Sequence, residues 1–436
     1  MAINQALTKA LPVLRMLEQH GHEAVFVGGC VRDTIMGKVL KDVDIATSAA
    51  PDQVEAAFPR TIPTGLQHGT VTVIHESEHY EVTTFRTESA YEAHRRPAQV
   101  QFVADLEADL MRRDFTINAM AMRADGSIVD PFGGRQDLQR RVLRCVGDAN
   151  LRFQEDALRM VRAVRFAAEF QMHIAPQTWK ALRRYSHLLV HIAMERIGAE
   201  SDKMIGGSNP SRALAWFAAA GLLAYTKTPL PPALVRQAEQ FRMDPAADKG
   251  KLKGLAALTS LEERWAAFCI ALGLSMDDAY ELFDAFRFST SRIGQLKAAV
   301  NVHQQMTAFT SSLQSAESPI HDGLLSSEHE QMLHRAWILA VLDNGKAAAA
   351  CWLHAAAALT CSSLNLDKLA VWLNELAVSS VRELAIGGAD LLRLLHKPSG
   401  PWLGKLLNEL VRDVAIGVLT NDRDSLLDAA GSRLPE

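Results

Sequence analysis

Residues 26–49, FVGGCVRDTIMGKVLKDVDIATSA, decide the fold. An apolar run typical of a strand ends in Gly28-Gly29, a helical stretch carrying Arg32 follows, and Asp42-Val43-Asp44 comes next. A glycine pair at the start of a helix lets backbone amides approach a phosphate closely, and an arginine on that helix adds charge-assisted hydrogen bonds. The stretch therefore predicts an α/β unit with a phosphate-binding turn.

Asp42 and Asp44 are two residues apart, and on a strand this spacing sends both carboxylates to one face. Two hard oxygen ligands suit Mg²⁺, which takes a few carboxylates and completes its shell with water and substrate phosphate oxygens. Two such ions can activate an attacking hydroxyl and stabilise departing pyrophosphate. Taken alone, the paired aspartates also fit an ordinary loop and the glycine pair an ordinary turn; their combination favours a metal site.

A third carboxylate lies on the second of two alternating segments, HGTVTVIH (68–75) and HYEVTTFR (79–86), which predict neighbouring strands. On the second strand Glu81 shares a face with Thr83 and Phe85. Glu81 is either a metal ligand or proton acceptor beside the aspartates, or a solvent-facing glutamate on an edge strand. The sequence leaves both interpretations open.

The segment MRRDFTINAMAM (111–122) places two arginines ahead of a short apolar helix. Arg113 would be positioned to hold a triphosphate. Asp114 is expected to cap or brace the backbone rather than to perform chemistry. Asn118 is interpreted as a buried brace, with a sugar contact as the alternative.

The segment RFQEDALRMVRAVRFAAEF (152–170) predicts one helix with Asp156 and Arg159 as neighbours and Arg162 and Arg165 on the same stripe. A carboxylate accepts and a guanidinium donates, so the pair matches the amine and ring nitrogen of cytosine or adenine. Uracil and guanine present the reverse order. The pair would therefore select bases as a template made of protein, the alternative being an ordinary surface ion pair.

Composition limits the partners and the compartment. The chain has 436 residues and a net charge of −4, so contact with RNA would need a local basic surface, which the arginines of residues 140–165 provide. Five scattered cysteines predict neither disulfides nor a zinc site and favour the cytoplasm. The first twenty residues predict an amphipathic helix rather than a signal sequence, and residues 347–361 a buried helix too short for a membrane span.

Strand patterns nearly vanish after residue 140 and helical patterns take over, with breaks rich in turn-forming residues near 206–210, 229–232 and 310–327. We predict four modules. They are an α/β head (1–140), a helical neck with the nucleotide-selecting helix (141–210), a helical body (211–310) and a helical tail (311–436).

Six motifs follow one another along the chain: FVGGCVRD, KDVDIAT, EVTTFR, RRDFTINAMAM, DPFGGRQDL and RFQEDALRMVRAVRF. In this order the chain resembles class II tRNA nucleotidyltransferases, the bacterial-type CCA-adding enzymes and their poly(A) polymerase relatives. Two later stretches, LAIGGADLL and KPSGPWLGKLLNELV, are similar to the tail of the same enzymes, so the resemblance implies that the tail (311–436) binds tRNA. The resemblance implies a polymerase-beta-like head, tRNA, CTP and ATP as substrates, and Mg²⁺ at Asp42 and Asp44. It implies nucleotide contacts for a larger set of residues: Gly29, Arg32, Arg113, Asp156, Arg159, Arg162 and Arg165. Glu81 matches the family's third acidic position less closely.

Within this family, enzymes that add only CC have a shortened loop before the RRD motif. Residues 87–102 are full length and retain Arg95-Arg96-Pro97, which favours complete CCA addition. The open alternatives are an enzyme that adds only CC or only A, a poly(A) polymerase, or a catalytically silent RNA-binding protein. The C-terminal part shows no HD-type metal motif, so no phosphohydrolase is expected.

Overall fold

The computed structural model describes residues 5–40, 42–88, 91–92, 96–97, 100–243, 252–315 and 327–433. Two compact units are present. The first comprises Met1–Met204 with Arg212–Pro229, and the second comprises Ile205–Ser211 with Leu230–Glu436.

The chain begins with mixed α and β structure and continues as helices. Its elements up to residue 219 are α1 (Gln5–Gln19), β1 (Ala24–Val27), α2 (Gly29–Ile35), β2 (Asp44–Thr47), α3 (Pro51–Ala57), β3 (Thr61–Gly65), β4 (Thr70–His75), β5 (Glu78–Thr84), β6 (Arg86–Glu88), β7 (Tyr91–Glu92), β8 (Arg96–Pro97), β9 (Val100–Phe102), α4 (Leu106–Met111), β10 (Ala121–Met122), β11 (Ile128–Val129), α5 (Gly134–Arg140), β12 (Val142–Leu143), α6 (Ala149–Glu155), α7 (Leu158–Glu169), β13 (His173–Ile174), α8 (Pro176–Tyr185), α9 (Met194–Ile205) and α10 (Pro210–Ala219).

The principal sheet has the strand order β11-β10-β1-β2-β5-β4-β3. Its central pair, β2 and β5, is parallel, with Asp44 opposite Glu81. The other pairs in this sheet are antiparallel. The predicted strands 68–75 and 79–86 are confirmed as the hairpin β4–β5, whose turn residues Glu76 and Ser77 both have positive φ. Such a turn matches the right-handed twist of the strands it joins.

One face of the sheet is closed by α1, whose apolar residues recur at helical spacing. Leu7, Leu14 and Leu17 are fully buried in a core that includes Val71 and Val82 of the hairpin. The amphipathic helix predicted for the first twenty residues is therefore confirmed. The opposite face packs against α4, and it is the face that carries Asp44 and Glu81, which alternate with the residues facing α1.

The second unit contains helices throughout its described part. They are α11 (Pro232–Met243), α12 (Leu261–Ala271), α13 (Met276–Ala285), α14 (Thr290–Ser315), α15 (Ser327–Asn344), α16 (Lys346–Leu359), α17 (Leu366–Glu375), α18 (Gly388–Leu395), α19 (Pro401–Ala415) and α20 (Arg423–Ser432). The alanine-rich segment forms α16, and its small side chains are largely buried. No helix among the described residues combines the length and apolar character that crossing a membrane requires.

An α/β head followed by helices is thus confirmed, with one small addition: β12 and β13, beyond residue 140, form a two-residue parallel pair. All five cysteines are free thiols, as predicted. The four-module division stays a prediction. In the loop 87–102, Arg96-Pro97 forms β8, whereas Arg95 lies outside the described residues.

Candidate active site

Three carboxylates lie around the start of β2. Asp44 opens β2, and the parallel register places Glu81 of β5 directly beside it on the same face of the sheet. Asp42 lies just before the strand, so the prediction that both aspartates belong to a strand is wrong for Asp42. The three residues nevertheless line one cavity of about 900 Å³.

The carboxylates repel one another. Burial raises the pKa of Asp44, the negative charges of Glu81 and Asp42 raise it further, and Arg113 opposes them. A cation would relieve this repulsion. Among the described residues, no group of three or more His, Cys, Asp or Glu side chains is arranged to hold a metal ion by itself. The neighbouring carboxylates of Asp44 and Glu81 are the kind of donor that a hard cation takes when substrate oxygens and water complete its coordination.

Gly28, between β1 and α2, brings the acidic and basic parts of the site together. Its φ is +72°, which disfavours any residue with a side chain. A Cβ built on Gly28 would lie 3.0 Å from Nη1 of Arg113 and 3.8 Å from Oδ2 of Asp44. Both charged groups therefore approach the backbone at Gly28 because no side chain stands there. Gly29 is the first residue of α2.

Arg113 follows α4 and faces this turn. Its Nη2 donates to Oδ2 of Asp109 at 3.1 Å. Its Nε is buried and has no hydrogen-bond partner in the described part of the chain. A buried donor without a partner is costly, and an anion bound at this position would satisfy it.

Arg32 has a different environment from the one predicted. It is 8% exposed, its Nη1 donates to Oδ1 of Asn118 at 2.5 Å, and its Nε and Nη2 donate to the Asp33 carboxylate, each at 2.9 Å. Its guanidinium carbon lies 4.6 Å from the ring centre of Phe170. The guanidinium is therefore held by protein groups at the base of α2.

Asn118 and Asp114 are internal braces, in line with the sequence interpretation. Asn118 donates to Oδ1 of Asp114, which also accepts from the N–H of Phe115. Burial by itself would raise the pKa of Asp114, but Arg162 and the hydrogen bond from Asn118 hold it at about 2. The carboxylate is thus ionised at neutral pH, and its contacts are internal to the protein.

The single helix predicted for residues 152–170 is interrupted at Asp156. Asp156 ends α6 in an extended conformation, and its Oδ1 accepts from the N–H of Leu158 at the start of α7. The interruption has a physical reason, since aspartate favours the position before a helix, where its carboxylate satisfies a free N–H group.

The expected pairing of Asp156 with Arg159 is replaced by pairings with other residues. Asp156 accepts from Nη2 of Arg196 at 2.8 Å. Nη1 of Arg159 donates to Glu155 at 2.5 Å, and its Nη2 donates to the carbonyl of Arg112 at 2.9 Å. Each member of the proposed base-reading pair therefore has its own protein partner of opposite charge.

The stripe of arginines on α7 is also neutralised within the protein. Arg162 pairs with Asp114 at 2.7 Å, and Arg165 pairs with Glu200 at 2.6 Å and with Glu169 at 3.0 Å. The anions that face this row are carboxylates of the protein itself. Glu200 is 31 residues beyond α7 in the chain, and no spacing pattern in the sequence connects the two segments.

The sheet, the paired strand carboxylates and the arginine beside a glycine turn are the features of polymerase-beta-type nucleotidyltransferases. The family described as "Poly A polymerase head domain" matches residues 24–144. "Probable RNA and SrmB-binding site of polymerase A" matches 171–229, and "tRNA nucleotidyltransferase domain 2 putative" matches 256–430. Nucleotidyltransferases of this class use divalent metal ions.

Similarity to named relatives extends over nearly the whole chain. The CCA-adding enzyme of Geobacillus stearothermophilus is 39% identical over 418 residues, covering 96% of this chain and 95% of the relative. That of Bacillus subtilis (strain 168) is 38% identical over 423 residues, covering 97% of each. The crystal structure of the Bacillus stearothermophilus CCA-adding enzyme in complex with CTP is similar with a TM-score of 0.78 and 35% identity, covering 99% of this chain and 98% of that one. The chain belongs to the CCA-adding enzymes, a family of tRNA nucleotidyltransferases.

Proposed function

We propose that this chain completes the 3′ end of tRNA by adding C, C and A from CTP and ATP, with release of pyrophosphate and without a nucleic-acid template. One observation carries the proposal: Asp44 and Glu81 stand side by side on the sheet, while Arg113 approaches Asp44 across Gly28. Metal-binding carboxylates and a triphosphate-binding arginine thus meet at one point. Nucleotidyl transfer needs this combination, because negative charge develops on both the attacking and the leaving oxygens.

In this proposal Asp42 and Asp44 would hold Mg²⁺, which would neutralise phosphate charge and lower the pKa of the attacking 3′-hydroxyl. Glu81 adds a third carboxylate, as a ligand or as acceptor of the hydroxyl proton. Arg113 binds the triphosphate through the guanidinium nitrogens that Asp109 leaves free, and Gly29 lies against it.

Asp156 and Arg159 are proposed to read the base. The carboxylate accepts from the exocyclic amine of cytosine or adenine, and the guanidinium donates to the neighbouring ring nitrogen. Arg32, Arg162 and Arg165 are proposed as further residues of the nucleotide pocket. The partners described above tie these three side chains to the fold and keep them in place around a nucleotide.

The remaining assignments concern the rest of the chain and the setting. The tail, residues 311–436, is proposed to bind tRNA, and the full-length loop 87–102 favours addition of all three nucleotides. Five free thiols suit a reducing compartment, so we place the activity in the cytoplasm.

The test uses tRNA that lacks its 3′ CCA, Mg²⁺ and one labelled nucleotide at a time. We expect two additions from CTP and one further addition when ATP follows. Three other outcomes would identify the alternative activities. Arrest after CC would identify an enzyme that adds only CC, and addition restricted to a primer already ending in CC would identify one that adds only A. Continued incorporation of ATP would identify a poly(A) polymerase. Absence of all incorporation, with tRNA still bound, would identify a silent RNA-binding protein and refute the proposal.

A further inference from the structure

Asp109 is a buried carboxylate for which the roles assigned above leave no explanation. It lies on α4, it is completely buried, and it faces two arginines and a backbone N–H group. Placing an ionised carboxylate away from water costs several kcal/mol unless its partners compensate. A buried charge of this kind is therefore expected to fix the position of the groups that bind it.

The two oxygens of Asp109 have separate partners. Oδ1 accepts from Nη2 of Arg112 at 2.7 Å, from Nε of Arg112 at 3.0 Å and from the backbone N–H of Arg86 at 3.3 Å. Oδ2 accepts from Nη2 of Arg113 at 3.1 Å. The first oxygen thus fixes the end of α4 against the start of β6, where the loop 87–102 begins. The second oxygen orients the guanidinium of Arg113.

The same helix end contacts Arg159, which is proposed to read the base, and Arg152 of α6. The carbonyl of Arg112 accepts from Arg159 at 2.9 Å, and the carbonyl of Met111 accepts from Arg152 at 3.2 Å. Arginines at the carboxyl end of a helix satisfy its free carbonyl groups and favour the negative end of its dipole. The end of α4 is therefore linked on one side to the triphosphate arginine and on the other to α6 and α7.

We infer that Asp109 is a positioning residue for nucleotidyl transfer: it holds Arg113 at the distance from Gly28 and Asp44 that a bound triphosphate requires. This inference rests on the proposed function. Without the Asp109 carboxylate, Arg113 still has Asp44 as an interacting anion beside Gly28. Arg113 would then turn toward the metal-binding carboxylate and away from the phosphates.

The experiment compares Asp109→Asn with Glu107→Gln, a change of an exposed acid on the same helix that serves as the control. KM and kcat are measured for CTP on tRNA lacking CCA and for ATP on tRNA ending in CC. We expect Asp109→Asn to raise both nucleotide KM values by roughly ten- to hundredfold, the effect of misaligning one charge-assisted hydrogen bond. KM for tRNA should stay within about twofold of the wild type, because Arg113 acts on the triphosphate and not on the primer.

A double-mutant cycle with Arg113→Ala separates positioning from a general loss of structure. If Asp109 acts through Arg113, Asp109→Asn should change the nucleotide KM by less than about twofold once Arg113 has been removed. The inference would be overturned if the double variant raised the nucleotide KM by the product of the two single-variant factors. It would also be overturned if Asp109→Asn left the nucleotide KM values unchanged and reduced kcat only in proportion to the folded fraction.

A second variant guards against failure to fold. Asp109→Asn combined with Arg112→Gln removes one charge of each sign, so no new net charge is buried, and the backbone carbonyl that binds Arg159 is kept. This variant should fold and still show the raised nucleotide KM, whereas a wild-type KM would contradict the inference. Failure of the proposed function is distinct, because in that case the wild-type protein would itself add no nucleotide to tRNA.

Discussion

Asp156→Asn is the substitution that tests base selection most directly. The structure gives Asp156 two tasks besides the proposed contact with the base: Oδ1 caps the N–H of Leu158, and the carboxylate pairs with Arg196. Asparagine caps a helix about as well as aspartate does, so α7 should keep its start. The ion pair with Arg196 is partly exposed, with 31% and 17% of the two side chains accessible, and its loss should cost no more than about 1 kcal/mol.

The expected effect on selectivity is larger than the effect on stability. The substitution replaces one acceptor oxygen with an NH₂ donor. Cytosine and adenine then lose the acceptor for their amine, whereas the carbonyl of uracil gains a donor. An unpaired buried polar group costs about 1–3 kcal/mol, which corresponds to roughly 5- to 150-fold in kcat/KM. The preference for CTP over UTP should fall by a factor in that range.

The assay measures kcat/KM for CTP, ATP and UTP on tRNA lacking its 3′ end, beside tRNA binding and thermal unfolding. Asp148→Asn is the matched control, because Asp148 caps α6 in the same way, through its contact with the N–H of Asn150, but has no role in the proposed pocket. An Asp156→Asn variant that keeps the wild-type preference for CTP and ATP over UTP would show that Asp156 does not read the base.

Three further predictions follow from the site. Asp44→Ala should abolish nucleotide addition at any Mg²⁺ concentration, because Asp44 is proposed to act on the nucleotide through the metal ion. Binding of tRNA, measured by filter retention, should stay within about threefold of the wild type. Gly28→Ala should lower the free energy of unfolding, measured in urea, by about 2 kcal/mol, because the φ of Gly28 is +72° and the new Cβ would contact Arg113. The KM for CTP should also rise. Gly29→Ala is the comparison: its Cβ would meet the nearest neighbouring atom at 3.6 Å, so it should cost less than half as much stability. Asp114→Asn should lower the free energy of unfolding at pH 7 by about 2 kcal/mol, because the pKa of Asp114 is lowered from 3.8 to about 2 in the folded protein. The ionised carboxylate contributes this stability above pH 4 and loses it as the pH falls through 2. Urea unfolding should therefore show the difference between variant and wild type shrinking over that range.

Local patterns in the sequence predicted the architecture well. The alternating segments 68–75 and 79–86 gave the hairpin, and the glycine pair gave the turn between β1 and α2. Each of these features depends on residues close together in the chain, and periodicity reports such features directly. The side-by-side placement of Asp44 and Glu81 depends on strand register, so the sequence left open whether Glu81 lies beside the aspartates or faces solvent.

The partners of the arginines could not be predicted in the same way. Glu200 and Arg196 lie on α9, yet they pair with residues of α7 and with Asp156, between 35 and 40 positions earlier in the chain. Ion pairs of this kind are set by how helices pack, and a single sequence carries no record of that packing. Asp109 was missed for a related reason: an acid three and four residues before two arginines also fits an ordinary exposed helix face.

The ion pairs on α6 and α7 bear on how a protein could select a base without a template. If Asp156 and Arg159 were free, any polar base edge would gain by approaching them. Both have partners of opposite charge, Arg196 and Glu155, so a base gains only when it replaces or complements both contacts at once. Cytosine and adenine offer the donor and the acceptor in the required order. Under the proposed base-reading role, uracil would disturb the two ion pairs and form no matching hydrogen bond with either residue. Its rejection would then draw on the energy of the protein's own contacts as well as on the hydrogen bonds it fails to form.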